Sequence, residues 1–189
     1  MENNLAYREQ WREELIGGEW VAMAPATTNH NRVKGNIYAM FWNYLQGREC
    51  EVLPDGEGVF LSDTDEYIPD LMIVCDPEKI RPDGVHGVPD LVVEVLSPGT
   101  AKYDRGKKKD TYEEAGVREY WIVNPEDRSI EQYFLKEGKY RLNNVYTVYP
   151  AWMLERMKPE ERSAVATEFK CSLYDDLVIR MENVFSRVK

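Results

Sequence analysis

Two strand-like runs, IPDLMIVCD (Ile68 to Asp76) and VPDLVVEVL (Val88 to Leu96), contain the same Pro-Asp-Leu triplet. The segment joining their apolar parts, DPEKIRPDGVHGVP, is rich in Pro and Gly and reads as a loop. Strands joined without a crossover helix can pair antiparallel. Asp70 and Glu94 are equally far from Pro82, in opposite directions along the chain. Folding at the loop therefore brings them to the same end of a sheet, across from one another. Glu94 sits inside a run with the composition of a buried strand, where an unpaired carboxylate is costly.

Side chains alternate along a strand, so Asp90 and Glu94 share one face and Val93 and Val95 take the other. Two carboxylates at the mouth of an apolar sheet repel unless a cation lies between them. Magnesium, held by one or two carboxylates and by substrate phosphate oxygens, suits the Asp70–Glu94 pair. The alternative is structural: Asp70 caps a strand, and Glu94 pairs with a buried Arg or Lys.

A helix is expected from Thr100 to Ala115, with Gly116 as its stop. Tyr112 and Ala115 mark its inward face, and one turn back along that stripe stands Lys108. Lys107 and Lys109 diverge by about a hundred degrees to either side. An aspartate, a glutamate and an inward lysine are the minimum set for metal-assisted phosphodiester hydrolysis: two acids for the ion, one ammonium for developing charge. A structural counter-ion to Glu94 would occupy the same place.

Elsewhere, residues 10–15 suggest the end of a short helix, and GEWVAMAP a strand ending at Pro25. Val33, Ile37, Met40, Phe41 and Tyr44 form the apolar stripe of a helix that Thr28 or Asn29 can cap. CEVLPDGEGVFL reads as two short strands around an Asp-Gly turn. Two strands follow in EYWIVNPEDRSIEQYFL and one in KYRLNNVYTVY; a partly helical insertion, a last strand and a short helix complete the chain. With no visible linker or repeat, residues 1–189 are expected to form a single α/β domain with a mixed sheet.

Three cysteines at unrelated spacings, Cys50, Cys75 and Cys171, read as free thiols. With no signal-peptide pattern and no membrane-length apolar run, they make the cytoplasm the expected location. The net charge of −10 argues against coating nucleic acid through bulk electrostatics. It leaves room for a local patch such as AKYDRGKKKD.

The stretch VPDLVVEVLSPGTAKYDRGKKKDTYEEAGVREYWIVNPEDRSIEQYFL, with EELIGGEWVAMAP, NHNRVKGNIYAMFWNYL and YIPDLMIVCD upstream, resembles the Uma-type family of restriction endonucleases. That family is grouped with the PD-(D/E)xK nucleases. The resemblance implies a restriction-endonuclease-like mixed β-sheet flanked by helices. It assigns Asp70 as the first acid and Glu94 as the second. The wider superfamily keeps its lysine two residues after the second acid, where this chain has Leu96. The family pattern moves the lysine to the following helix, at Lys108. It also points to His30 as a residue that lines the site or orients a phosphate, with a structural role equally open. Arg105 suits a phosphate contact or a surface pair. Asp90 reads as a strand-start residue, with a spare metal ligand as the lesser alternative because it lies one strand repeat from Glu94.

The expected function is a Mg2+-dependent endonuclease acting on DNA, with Mn2+ as a substitute ion. Asp70, Glu94 and Lys108 would be catalytic, Asp70 and Glu94 the metal ligands, and His30 and Arg105 substrate contacts. A homodimer would suit cleavage of both strands. The alternative is a nucleic-acid-binding or assembly module that keeps the nuclease fold without cutting.

Overall fold

The computed structural model describes residues 13–23 and 25–189. In chain order the elements are β1 (Glu13–Ile16), β2 (Glu19–Ala22), α1 (Thr28–Leu45), β3 (Glu51–Pro54), β4 (Val59–Ser62), β5 (Asp65–Tyr67) and β6 (Leu71–Val74). Next come β7 (Ile80–Arg81), β8 (Gly84–His86), β9 (Leu91–Val95), α2 (Ala101–Arg105), α3 (Lys107–Ala115), β10 (Glu119–Asn124), β11 (Ser129–Lys136) and β12 (Lys139–Thr147). The chain ends with α4 (Ala151–Leu154), α5 (Pro159–Ser163), β13 (Glu168–Lys170), β14 (Val178–Arg180) and α6 (Met181–Val184). Among the described residues no helix is long and apolar enough to cross a membrane.

The larger mixed sheet runs β12-β11-β10-β9-β6-β3, and a second runs β2-β1-β5-β4-β8-β7. In the larger sheet β9 and β10 are parallel, whereas β6 pairs antiparallel with β9, Leu71 facing Val93 and Ile73 facing Leu91. Both faces of this sheet are covered, which is why its central strands are apolar almost throughout. On one face, Leu71, Ile73, Leu91, Val93 and Val95 pack against Val33, Ile37, Phe41 and Leu45 of α1 and against the C-terminal elements. On the other, Met72, Val74, Val92 and Ile122 meet Tyr112 of α3 and Val59, Tyr67 and Val85 of the smaller sheet. Alternation along β9 thus sends Val93 and Val95 toward α1 and Glu94 toward α3.

Several local expectations are corrected. Residues 13–15 belong to a strand, because Leu15 and Ile16 form part of a hairpin through Gly17 and Gly18; residues 10–12 lie outside the described residues. The segment from Asp76 to Pro89 is not all loop: it holds a 3-10 turn at Pro77–Lys79 and the β7–β8 hairpin. β3 and β4 do not pair with each other but enter different sheets. The expected Thr100–Ala115 helix is broken at Gly106, where a Cβ would stand 2.8 Å from the Lys102 carbonyl oxygen.

Cys50 and Cys75 are not free thiols but a disulfide; Cys171 is free and buried. The reason is register. β3 and β6 pair with Glu51 facing Val74, so the next position outward sets Cys50 against Cys75.

Candidate active site

Asp70 and Glu94 meet at one end of the β6–β9 ladder. The pairing of Leu71 with Val93 continues outward to Asp70 and Glu94, and Asp70 Oδ2 accepts the backbone N–H of Val95 at 2.8 Å. Asp70 also receives two groups from α1. His30 Nε2 lies 3.2 Å from Oδ2, and Lys34 Nζ lies 3.9 Å from Oδ1 and 2.7 Å from Asp55. Thr27, rather than the expected Thr28 or Asn29, caps α1: its side chain accepts the His30 N–H, and the first turn carries the imidazole to Asp70. His30 Nδ1 is buried and without a hydrogen-bond partner among the described residues.

Lys108 reaches Glu94 from the opposite face, 2.7 Å from its Oε1. The same ammonium lies 2.9 Å from Glu14 and 3.5 Å from Asp104. It is only 2% exposed, and its three acidic neighbours are equally enclosed. Tyr112 donates its hydroxyl to Glu94 at 3.1 Å, and the Tyr67 ring centroid lies 5.5 Å from the Lys108 nitrogen. Glu14 also accepts the backbone N–H of Ile68 at 2.8 Å, which ties β1 to the residues just before Asp70.

One ammonium cannot neutralise three buried carboxylates. Burial pushes the Glu94 carboxyl well above its usual range; Lys108 opposes the shift, while Asp104, Glu14 and Asp70 add to it. Burial raises Asp104 as well, again against the pull of Lys108. For Lys108, burial alone would favour loss of its proton, but Glu94, Glu14 and Asp104 outweigh it and hold the ammonium charged. The cluster therefore carries more potential negative charge than Lys108 can compensate, so its carboxyls hold their protons more tightly than exposed ones.

The donor set fits a hard divalent ion. Asp70 and Glu94 offer carboxylate oxygens, and no group of three or more His, Cys, Asp or Glu able to hold a metal occurs among the described residues. Magnesium tolerates this, because it keeps several waters and shares one or two carboxylates with substrate phosphates.

Of the residues singled out from sequence, Asp70, Glu94, Lys108 and His30 gather in this region. Arg105 is placed differently: its guanidinium pairs with Glu131 at 2.8 Å on the surface. Asp90 lies at the opposite end of β9, where it accepts the Cys75 N–H and pairs with Arg118. Glu14, Lys34 and Asp104 were not anticipated. Lys34 had a signal, one turn after His30 on the same helix, and Asp104 stands one turn before Lys108. Glu14 had none.

A model of the Uma2 family, described as "Putative restriction endonuclease", matches residues 2–166. The chain belongs to this family. Two uncharacterized proteins of Synechocystis sp. are similar to it. One, slr1290, is 32% identical over 136 residues, spanning 70% of this chain and 72% of its own. The other, sll1609, is 26% identical over 126 residues, spanning 65% and 71%. Among solved structures, a "putative nuclease belonging to DUF820" from Anabaena variabilis superposes with a TM-score of 0.69. That match covers 93% of this chain and 90% of the other at 15% identity, so the likeness is one of fold. The Uma2 chain thus has a nuclease-like mixed α/β fold, with its acidic cluster where the two sheets and α3 meet.

Proposed function

We propose that this Uma2 chain is a magnesium-dependent endonuclease that hydrolyses DNA phosphodiester bonds. The observation that carries the reading is the meeting of Asp70 and Glu94 on adjoining strands, with Lys108 2.7 Å from Glu94. Asp70 and Glu94 would hold the ion, which when bound polarises the phosphate and activates water. Lys108 pulls Glu94 toward its ionised form against the burial that raises its pKa, and the bound ion would pull the same way. Glu14 and Asp104 fix the position of that ammonium, and Tyr112 orients the Glu94 carboxylate. His30 and Lys34 present a ring nitrogen and a cation beside Asp70, where an incoming phosphate would find them. Arg105 can join from its exposed pair with Glu131, since breaking such a pair costs about 0–1 kcal/mol.

Purified protein is incubated with supercoiled plasmid and with linear DNA, in Mg2+ and in EDTA. Nicking or linearisation is expected only with the metal, and Glu94→Gln is expected to abolish it. Cleavage that persists in Glu94→Gln would refute the assigned site.

A second reading, a non-cleaving nucleic-acid-binding or assembly module, draws on one observation: Lys108 is enclosed by three carboxylates, as a structural counter-ion would be. It expects no Mn2+ binding in a calorimetric titration, whereas the nuclease reading expects binding that Asp70→Asn removes.

A further inference from the structure

We propose that Lys34, Tyr38 and Trp42 form a stacking row for an unpaired nucleic-acid strand leading away from Asp70. The inference rests on the nuclease reading and names its substrate class: single-stranded DNA, or duplex opened at the site.

The row follows from helix geometry. Residues four apart lie on one ridge, and each such step advances about 6 Å and turns about 40°. A ridge that starts on the buried face of α1 therefore winds outward. His30 is 7% exposed, Lys34 and Tyr38 are half-buried, and Trp42 is 46% exposed. The first two members touch Asp70, with His30 3.2 Å and Lys34 3.9 Å from its carboxylate. The last two form a stacked pair, ring centroids 5.8 Å apart and planes 22° from parallel. One ridge thus connects a candidate metal ligand to two aromatic rings on the surface.

Bases stack on aromatic rings whatever their identity, so such a pair holds a strand without reading its sequence. In a duplex the base faces are already covered, and only an unpaired base can lie on Trp42. The choice of partner also agrees with the net charge of −10, which disfavours binding driven by phosphate neutralisation. Contact between two copies of the chain fits less well, because the rings stand among exposed Ala39, Asn43 and Gln46 rather than in a broad apolar surface.

The test measures affinity in EDTA, where no hydrolysis occurs, for labelled oligothymidine and for a duplex of equal length. The single strand is expected to bind more tightly than the duplex, with quenching of Trp42 fluorescence. Trp42→Ala should weaken single-strand binding about tenfold with no change in its salt dependence. Trp42→Leu, which keeps apolar bulk without a π face, should do the same; Trp42→Phe should retain most of the affinity. Trp152→Ala, at another exposed indole, is expected to have no effect. Unchanged binding by Trp42→Ala or Trp42→Leu, a preference for duplex, or no binding by the unsubstituted protein would each overturn the proposal. So would a Trp42→Ala variant whose only change is loss of a dimer in light scattering. Cleavage measured in parallel with Mg2+ separates the two readings: cutting with Trp42-independent binding refutes the row alone, and Trp42-dependent binding without cutting refutes the nuclease alone.

Discussion

Glu14 and Glu94 lie in different sheets yet share one ammonium, Lys108 Nζ being 2.9 Å from the first and 2.7 Å from the second. Lys108→Met would leave both acids and Asp104 enclosed without a counter-charge. Its expected cost is about 3–5 kcal/mol in urea unfolding at neutral pH. The cost should shrink in acid, where protonation relieves the repulsion. An equal cost at both pH values would mean that the side chain acts through packing alone.

Asp70→Asn separates structure from chemistry. The amide keeps an oxygen for the Val95 N–H, so stability should change by no more than about 1 kcal/mol. Cleavage should nevertheless fall by about a hundredfold or more, because a neutral amide is a poor ligand for a hard cation. Parallel melting and plasmid assays check both halves.

A pH effect is expected at Glu119, away from this cluster. Its carboxylate is fully buried and accepts from Trp121, Gln132 and both donors of Ser172. Burial still raises its pKa, with those hydrogen bonds in partial opposition. The folded state then holds the proton more tightly than the unfolded state. Its contribution to stability therefore declines as pH rises from the ordinary glutamate range through the raised value. Glu119→Gln should flatten this part of the stability–pH curve while costing about 1–3 kcal/mol, because an amide NH2 must face a donor. Thermal melts of both proteins across that range test it, and identical slopes would contradict it.

Thiol counting addresses the cysteines. Burial and the charge of Glu119 push the Cys171 thiol up to about 11, so it should resist alkylation in the native protein. Denaturation should expose Cys171 alone, and reduction should add Cys50 and Cys75. Mass spectrometry after each step reads the result; alkylation of Cys50 before reduction would contradict the disulfide.

Gly106→Ala probes the helix break. The added methyl meets the Lys102 carbonyl, backbone that cannot swing aside, and the expected cost is about 1–3 kcal/mol. Because Lys108 follows two residues later, cleavage should fall by more than stability explains.

Much of this arrangement was legible in the chain. The loop between the two Pro-Asp-Leu runs implied antiparallel neighbours, and β6 and β9 do pair so, with a Leu71–Val93 register that extends toward Asp70 and Glu94. Lys108 followed from Tyr112 because both fall within α3, past the break. Glu14 was invisible because its role depends on how the second sheet docks, a long-range fact with no local periodicity. Asp104 was hidden in a run of exposed charges that gave no sign of its burial. The disulfide needed the β3–β6 register, and β3 had been assigned to a hairpin with β4.

The parallel pairing of β9 with β10 has a consequence for how the chain can vary. Parallel neighbours must be joined by a crossover of a dozen or more residues, and here α2 and α3 supply it. Lys108 therefore rides on a connection that the sheet topology makes obligatory. Deletions that a hairpin turn such as Glu137–Gly138 would absorb should here remove strand order and the charge of the buried cluster together.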